Sequence, residues 1–594
     1  MIDRAQALAA MSSNEFDLAV IGGGITGAGV ALDAATRGFS VALLERSDFA
    51  AGTSSRSSKL VHGGLRYLQQ LDLALVREAL LERQLMVALA PHLVRPLPLV
   101  VAAFDGARPD RLVGVGLNLY DVMSVDRDRL RPRRGRRARE ADERGAEDVR
   151  ARLAEGESWS PERHRVVSGE DVCELLPALA PREPTSGYLF YDCQTDDVRL
   201  VLTVLGEAER FGAVCANRLG ACELIERDGR TAGVRARDGE TGATFEIRAA
   251  NVVNATGVWA EMLTARPADA DPLEADPPDR ADSGVAKRAP LPHIRPSRGT
   301  HLVLDRTDLP LTAGAIVPAG GGRTIFALPW LGRTLVGTTD RDYEGPLEHV
   351  PAPLEDIDYL LSAVNDFFGT PLCAGDLAGA FAGARPLISS GDPKRSTDIS
   401  RRAELYEANS GLLTITGGKL TTWRRMAKQT VDRLVERDAR DAPCRTHEIP
   451  LGQAIDAAEL EPVPGVPDTS YGPLAARYGH AAHDVLALAR NRPELAHPVV
   501  PGHPDILAEV AQAAVHEQAR SVGDALFRRT RLALLAARQL RAEPARVARV
   551  AEVLASALEW DGARARAETE RYFAEAEAEG IETLAASARE VPAA

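Results

Sequence analysis

The sequence predicts three units of different class: an α/β dinucleotide-binding domain, a second domain on a mainly antiparallel sheet, and a helical C-terminal domain. Three observations predict them. From Phe16 to Glu45 the chain reads strand, glycine turn, small-residue helix, strand and acid. From Ile294 to about Gly345 short apolar strands alternate with glycine-rich turns. Beyond Cys444 the composition becomes alanine-rich and helical.

The first unit is Rossmann-like. Asp17 to Gly22 reads as a buried parallel strand, and Gly22, Gly24 and Gly27 form a G-x-G-x-x-G turn that opens a helix. The first glycine allows the turn, the second lets the backbone approach a pyrophosphate, and the third lets the helix lie close on the sheet with its N–H groups aimed at phosphate. Ala31, Ala35 and Gly38 keep the packed face small, Val41 to Leu44 is a second strand, and Glu45 ends it. An acid there accepts from ribose hydroxyls and repels a 2′-phosphate, which favours FAD or NAD over NADP.

Composition sets the bounds. The 594 residues suffice for two or three domains, and 45% hydrophobic with 26% charged residues is a globular balance. A net charge of −14 does not favour a nucleic-acid partner. Six cysteines without a C-x-x-C pair suggest a reducing compartment, and no metal-ligand spacing is present. The stretch before Phe16 does not read as a signal peptide, and the apolar run Leu85 to Val101 is broken by Pro91, His92, Arg95, Pro96 and Pro98. Any membrane contact is therefore expected to be peripheral.

Next in order comes a hydroxyl-rich loop, Gly52 to Ser58, which suits either a polar ligand or plain solvent. Lys59, His62, Gly63, Gly64, Arg66 and Tyr67 follow, then a long helix from about Leu71 to Leu89. Eight arginines fall between Arg127 and Arg139, followed at once by acids; a solvated insertion or a contact with anionic lipid headgroups both fit. Asp197 to Ala208 reads as a helix, Thr231 to Arg237 and Thr244 to Ala249 as strands, and Val252 to Asn254 as a short strand running into Ala255-Thr256-Gly257. Residues 265–290, rich in Pro, Asp and Ala, read as a variable loop. In the second unit His301 to Leu304, Ala315 to Val317, Thr324 to Leu328 and Thr334 to Thr338 are the expected strands. Thr416 to Thr422 is a Gly-Gly turn running into a helix that reaches Val435, another place where N–H groups face electronegative atoms. Helices are expected in Tyr471 to Ala489, Pro504 to His516, Val522 to Leu540 and Pro544 to Glu577.

Behind the dinucleotide fingerprint, the run TSSRSSKLVHGGLRYL resembles the FAD-dependent glycerol-3-phosphate dehydrogenases, quinone-reducing respiratory enzymes within the glycine-oxidase-like flavoprotein group. The resemblance extends through YDCQTDDVRLVL, VVNATGVWA, IFALPWLGRTLVGTTD, FAGARPL and TITGGKLTTWRRMA to the C-terminal AVHEQARSVGDALFRRTRL. It implies a discontinuous FAD-binding domain (16–100, 190–260 and 380–435), a substrate domain (101–189 and 261–379, with insertions near 126–150 and 265–290) and a helical domain (440–594). The implied reaction is oxidation of sn-glycerol 3-phosphate to dihydroxyacetone phosphate, with hydride passing to FAD and electrons to a membrane quinone. The implied setting is cytoplasmic, peripheral on the inner face of the cell membrane, as a homodimer. An oxygen-using glycerophosphate oxidase, an amine or amino-acid oxidase of the glycine-oxidase-like group, and a non-catalytic flavin-binding protein remain as alternatives.

Under this resemblance the expected cofactor contacts are Gly22, Gly24, Gly27, Glu45, Thr53, Ser54, Ser58, Lys59, Gly63, Gly257, Gly417, Gly418, Leu420 and Thr421. A phosphate dianion needs cations, and Arg66, Arg385 and Lys419 are the candidates, with Tyr67 beside them and Arg341 and Arg401 as weaker additions. The proton on the substrate hydroxyl needs a base, for which His62 and His301 stand equal.

Overall fold

The computed structural model describes residues 3–64, 72–106, 111–124, 163–265, 293–389 and 403–581. Arg66, Tyr67, Arg401, the arginine-rich stretch and residues 266–290 lie outside them.

Two sheets organise the first two units. The first joins β1 (Glu15–Ile21), β2 (Val41–Leu44), β7 (Val214–Ala216), β8 (Leu219–Arg227), β9 (Arg230–Asp238), β10 (Thr244–Asn254), β17 (Ala403–Glu407) and β18 (Leu413–Gly417). Its main path runs β17-β18-β10-β1-β2-β7, with β10, β1, β2 and β7 parallel. β2 and the second half of β1, Leu18 to Ile21, are uniformly apolar and buried because helices cover the parallel part. The helix Ile25–Thr36 packs against the helices Asp197–Arg210 and Trp423–Arg437. That packing explains a glycine outside the fingerprint: a Cβ on Gly29 would stand 2.6 Å from Trp423 Cε3. Trp423 is 1% exposed, and burying a ring of this size contributes roughly 3 kcal/mol.

The second sheet joins β3 (Leu60–Val61), β4 (Val94–Ala103), β5 (Arg165–Ser168), β6 (Ser186–Thr195), β11 (Ile294–Asp305), β12 (Gly314–Pro318), β13 (Thr324–Trp330), β14 (Arg333–Gly337), β15 (Arg341–Asp342) and β16 (Leu377–Ile388). Its pairings are antiparallel except for β12 on β4. The four expected strands of this unit are present: three are longer than expected, and the fourth, Arg333–Gly337, is shifted by one residue and leaves Thr338 outside it. The expected domain limits need correction, however. β3, β4, the end of β6 and most of β16 fall within stretches assigned to the FAD-binding domain, yet they hydrogen-bond into the second sheet. Adjacency to the cofactor motifs does not decide which sheet a strand joins; the pairings of β16 with β11, of β4 with β6 and β12, and of β3 with β6 do.

Two local corrections follow. The two strands expected at 244–249 and 252–254 are one continuous β10. The helix expected from Val522 to Leu540 is broken into a π-helical turn Asp524–Arg529 and short helices Leu532–Leu535 and Ala537–Ala542, because Arg531 adopts a left-handed φ of 67°. That residue turns its guanidinium onto Asp196, so a distant carboxylate overrides helix propensity. The C-terminal unit has its own apolar core, which includes Leu474, Val485, Val510, Leu526, Val550 and Leu554.

Candidate active site

A cavity of about 970 Å³ opens between the two sheets, at the upper end of the range for ligand sites. One wall is the glycine turn. Gly22 has φ 111° and lies so close to β10 that a Cβ would stand 2.7 Å from Ala255 O, while a Cβ on Gly27 would stand 1.9 Å from Gly22 O. Gly22 and Gly24 line the cavity; Gly27 does not, and serves the close helix packing. Ser54 Oγ accepts from Ile25 N at 3.0 Å, which ties the hydroxyl-rich loop to the start of the helix. Glu45 lines the cavity with its carboxylate held by Gly23 N and Ser47 N, each at 2.7 Å. Burial pushes this carboxyl upward, and the two N–H donors oppose that push. Each oxygen keeps a further lone pair for a ribose hydroxyl.

Thr53, Ser58, Gly257, Gly417, Gly418, Leu420 and Thr421 also line the cavity. Two residues that the motifs place on the cofactor do not. Lys59 is fully buried, its Nζ bonded to Asp197 Oδ2 at 2.7 Å and Ser55 O at 2.6 Å. A desolvated ammonium must be paired, and its partner lies beneath the loop. Gly63 also turns inward: its N–H donates to Tyr120 Oη at 2.9 Å, and Tyr120 donates to Asp192 Oδ1 at 2.6 Å. Arg83 donates to the same Asp192 oxygen at 2.5 Å. This buried network holds from below the backbone that carries His62.

The two histidines, equal in the sequence, differ in the fold. His301 is 1% exposed on β11, stacked on Phe381 at 4.8 Å, with Nε2 at 2.8 Å from Ser58 Oγ. Burial, with Arg385 and Lys59 nearby, holds its pKa well below the ordinary histidine value. His62 is half-buried on the cavity wall, edge-on to Phe326 at 6.3 Å, its N–H donating to Thr421 Oγ1 at 3.1 Å.

Of the expected cations, Arg385 and Lys419 line the cavity. Arg385 is braced by Thr339 O at 3.1 Å and Thr338 Oγ1 at 3.0 Å, with Asp340 at 3.4 Å. Arg341 is not part of the site: it does not line the cavity and pairs with Asp356 at 2.7 Å. Gly299 sits under Arg385, where a Cβ would stand 2.3 Å from Nη2. The same Cβ would stand 2.7 Å from Thr338 Oγ1, so Gly299→Ala is expected to displace both the guanidinium and the hydroxyl that braces it, raising the KM of an anionic substrate several-fold and destabilising the fold by about 1–3 kcal/mol. Steady-state kinetics beside a thermal melt checks this, and an unchanged KM counts against Arg385 as the clamp.

Sequence reasoning missed several lining residues, among them Arg56, Trp259, Phe326, Thr338, His349 and Glu579. Arg56 and Thr338 lie inside motifs already singled out, so their polar side chains were available as a signal. Glu579 had only the helix-stopping Gly580 after it.

The residues suit FAD. Backbone cradles that a Cβ would fill, a helix N-terminus, an acid at the end of β2 and close-approach glycines from three distant stretches face one cavity. Among the described residues no group of three or more His, Cys, Asp or Glu side chains is arranged to hold a metal ion, and no helix is long and apolar enough to cross a membrane.

The profile of the FAD dependent oxidoreductase family matches residues 17–433, and that of the C-terminal domain of alpha-glycerophosphate oxidase matches residues 417–565. The chain is 36% identical over 586 residues to glycerol-3-phosphate dehydrogenase 2 of Mycobacterium tuberculosis, covering 97% of this chain and 90% of the relative. It is 33% identical over 549 residues to the aerobic glycerol-3-phosphate dehydrogenase of Bacillus subtilis, covering 89% of each. Among solved structures it is similar to the glycerol-3-phosphate dehydrogenase from Bacillus halodurans complexed with FAD, with a TM-score of 0.71, 28% identity and 97% of both chains covered.

Proposed function

The chain belongs to the FAD dependent oxidoreductase family, and from that premise we propose that it oxidises sn-glycerol 3-phosphate at C2 to dihydroxyacetone phosphate and passes the electrons to a membrane quinone. The observation that carries this reading is a braced arginine, Arg385, with Lys419 on the wall of a flavin cavity that also exposes a histidine. The names of the relatives point to the same substrate.

Arg385 and Lys419 bind the phosphate dianion and so fix the position of C2, which converts binding energy into orientation. Arg66 and Tyr67 belong to the same proposal. His62 takes the C2 hydroxyl proton: both histidines line the cavity, and His62 is the half-buried one while His301 is buried. His301 is a poor base where it stands: buried beside two cations, it disfavours a further positive charge, and its place is to hold Ser58. Phe326 limits water beside His62. Bound FAD supplies the acceptor for the hydride that leaves C2. Peripheral attachment to the cytoplasmic face of the cell membrane, in a homodimer, completes the proposal. Support for attachment comes from Val115 and Leu119, 66% and 36% exposed one helical turn apart, and from Leu73 at 42%.

Anaerobic addition of glycerol 3-phosphate to the yellow holoprotein is expected to bleach the flavin band, and a quinone analogue to restore it. Bleaching by amino acids or amines instead, or by nothing, would refute the substrate. Stoichiometric hydrogen peroxide with no reduction of the quinone analogue would refute the acceptor.

A further inference from the structure

The last described helix, Gly562–Ala578, ends in a particular way. Gly580 adopts a left-handed φ of 76°, its N–H donates to Glu577 O at 2.9 Å, and the next N–H, of Ile581, reaches Ala576 O at 3.1 Å. This pair of bonds stops a helix and buries the residue after the glycine. A Cβ on Gly580 would stand 3.0 Å from Ala352 N, so the same glycine seats the helix end on a loop of the second domain.

The residue so presented is Glu579, whose side chain is 5% exposed. Its carboxylate accepts from both terminal nitrogens of Arg56, with Nη2 at 2.7 Å from Oε1, and lies 2.8 Å from His349 Nδ1. Arg56 belongs to the hydroxyl-rich cofactor loop and also donates to Ala382 O on β16 at 3.1 Å. His349 lies on the loop between β15 and the helix Leu354–Phe368. One carboxylate therefore joins the cofactor loop, the second domain and the C-terminal domain, and all three side chains line the cavity.

The C-terminal domain supplies a whole stretch of that wall, with Ser521, Arg528, Arg571, Ala574 and Glu575 beside Glu579. Its near edge reaches the Glu45 side: Leu219 N donates to Glu45 O at 2.8 Å, and the neighbouring Arg218 donates to Ser521 Oγ at 3.1 Å and Asp524 at 2.7 Å. Further ties of the domain are buried behind the loop, at Asp48 and at Asp196 and Asp197, and others run from Glu517 to Arg199 and from Arg564 to Glu240. Of the ties whose partners both line the cavity, Arg218 with Ser521 and Glu579 with Arg56 and His349, Glu579 makes the one that reaches the hydroxyl-rich cofactor loop.

We propose that Glu579 is a positioning residue of the cofactor site: it fastens the C-terminal domain over the cavity through Arg56 and His349, and so governs how long bound FAD is retained. The resting charges agree, since Arg56 and His349 hold the Glu579 carboxyl down at about 2. The proposal depends on the cofactor alone and not on which alcohol or amine is oxidised, so it is tested without substrate.

FAD-loaded protein is diluted to nanomolar concentration, where released FAD does not rebind, and release is followed by the rise in flavin fluorescence. Glu579→Gln is expected to speed release at least tenfold and Glu579→Asp by less. His349→Gln, which removes one contact of the three, should speed it about threefold. Glu570→Gln, on the exposed face of the same helix, is expected to release FAD at the parental rate. Parental release from Glu579→Gln, or an acceleration that Glu570→Gln shares, overturns the proposal. If Glu579→Gln does not fold, His349→Gln decides alone: faster release supports the proposal and parental release overturns it.

Discussion

Arg385→Ala is expected to raise the KM for glycerol 3-phosphate about a hundredfold while FAD stays bound at the parental ratio. Removing one partner of a charge-assisted contact with a bound ligand costs about 2–5 kcal/mol, and each 1.4 kcal/mol is tenfold in affinity. The lower half of that range applies here. Asp340 at 3.4 Å offsets part of the arginine charge, and the side chain is 22% exposed, so water screens what remains. The fold should tolerate the loss. Thr338 Oγ1 and Thr339 O are left facing the cavity and its water, and Asp340 keeps the hydroxyl of Ser297 at 2.6 Å. Lysine at the same position restores a charge but not the planar fork that reaches three partners, so partial rescue is expected. Initial rates with a quinone analogue, beside the flavin absorbance of the purified variant, read both quantities. An unchanged KM would remove Arg385 from the substrate site.

Asp48→Ala is expected to destabilise the junction between the cofactor loop and the C-terminal domain by about 3–5 kcal/mol, the cost of stripping one partner from a buried ion pair. Asp48 is fully buried and accepts from Arg528 Nε at 2.7 Å, from Arg529 at 2.7 and 2.9 Å, and from Asn217 at 3.0 Å. Nearby carboxylates raise the pKa of both arginines further, so neither can lose its charge to escape. Asp524 and Glu517 still reach Arg528 and Arg529, which keeps the cost inside that range. Asp48→Asn keeps one acceptor oxygen but turns the other into a donor and removes the charge, and should fall between the parent and Asp48→Ala. With several domains the unfolding is not two-state, so the first transition of a calorimetric scan is the quantity to follow. A first transition within about 1 kcal/mol of the parent would show that the junction does not need Asp48.

What the sequence makes legible is what short-range physics decides. The glycine turn, the acid at the end of β2 and the alternating strands of the second sheet depend on steric and periodic rules a few residues long. Lys59 was misplaced for a different reason. A cation in a hydroxyl-rich loop resembles a ligand contact until its partner is known, and Asp197 lies 138 residues away. The two histidines, both in matched motifs, become distinguishable only when the pairing of His301 with Phe381 is seen, a register between strands that no local pattern encodes. Arg531 shows the same limit in a helical setting, where propensity favours continuing the helix and Asp196 turns it aside. Arg385 and Lys419 are identifiable through the resemblance, because each sits in a matched motif beside a glycine or aromatic segment.

The order of the walls along the chain has a consequence for assembly. Among the described residues, Glu579 follows every other residue that lines the cavity. Domains fold largely as units, the N-terminal ones first during synthesis. The nascent protein thus passes through an interval in which the glycine turn, Glu45 and both sheets are complete while the wall bearing Glu579 is still being made. The walls formed by the two sheets are thus in place before the last described helix sets Glu579 opposite them.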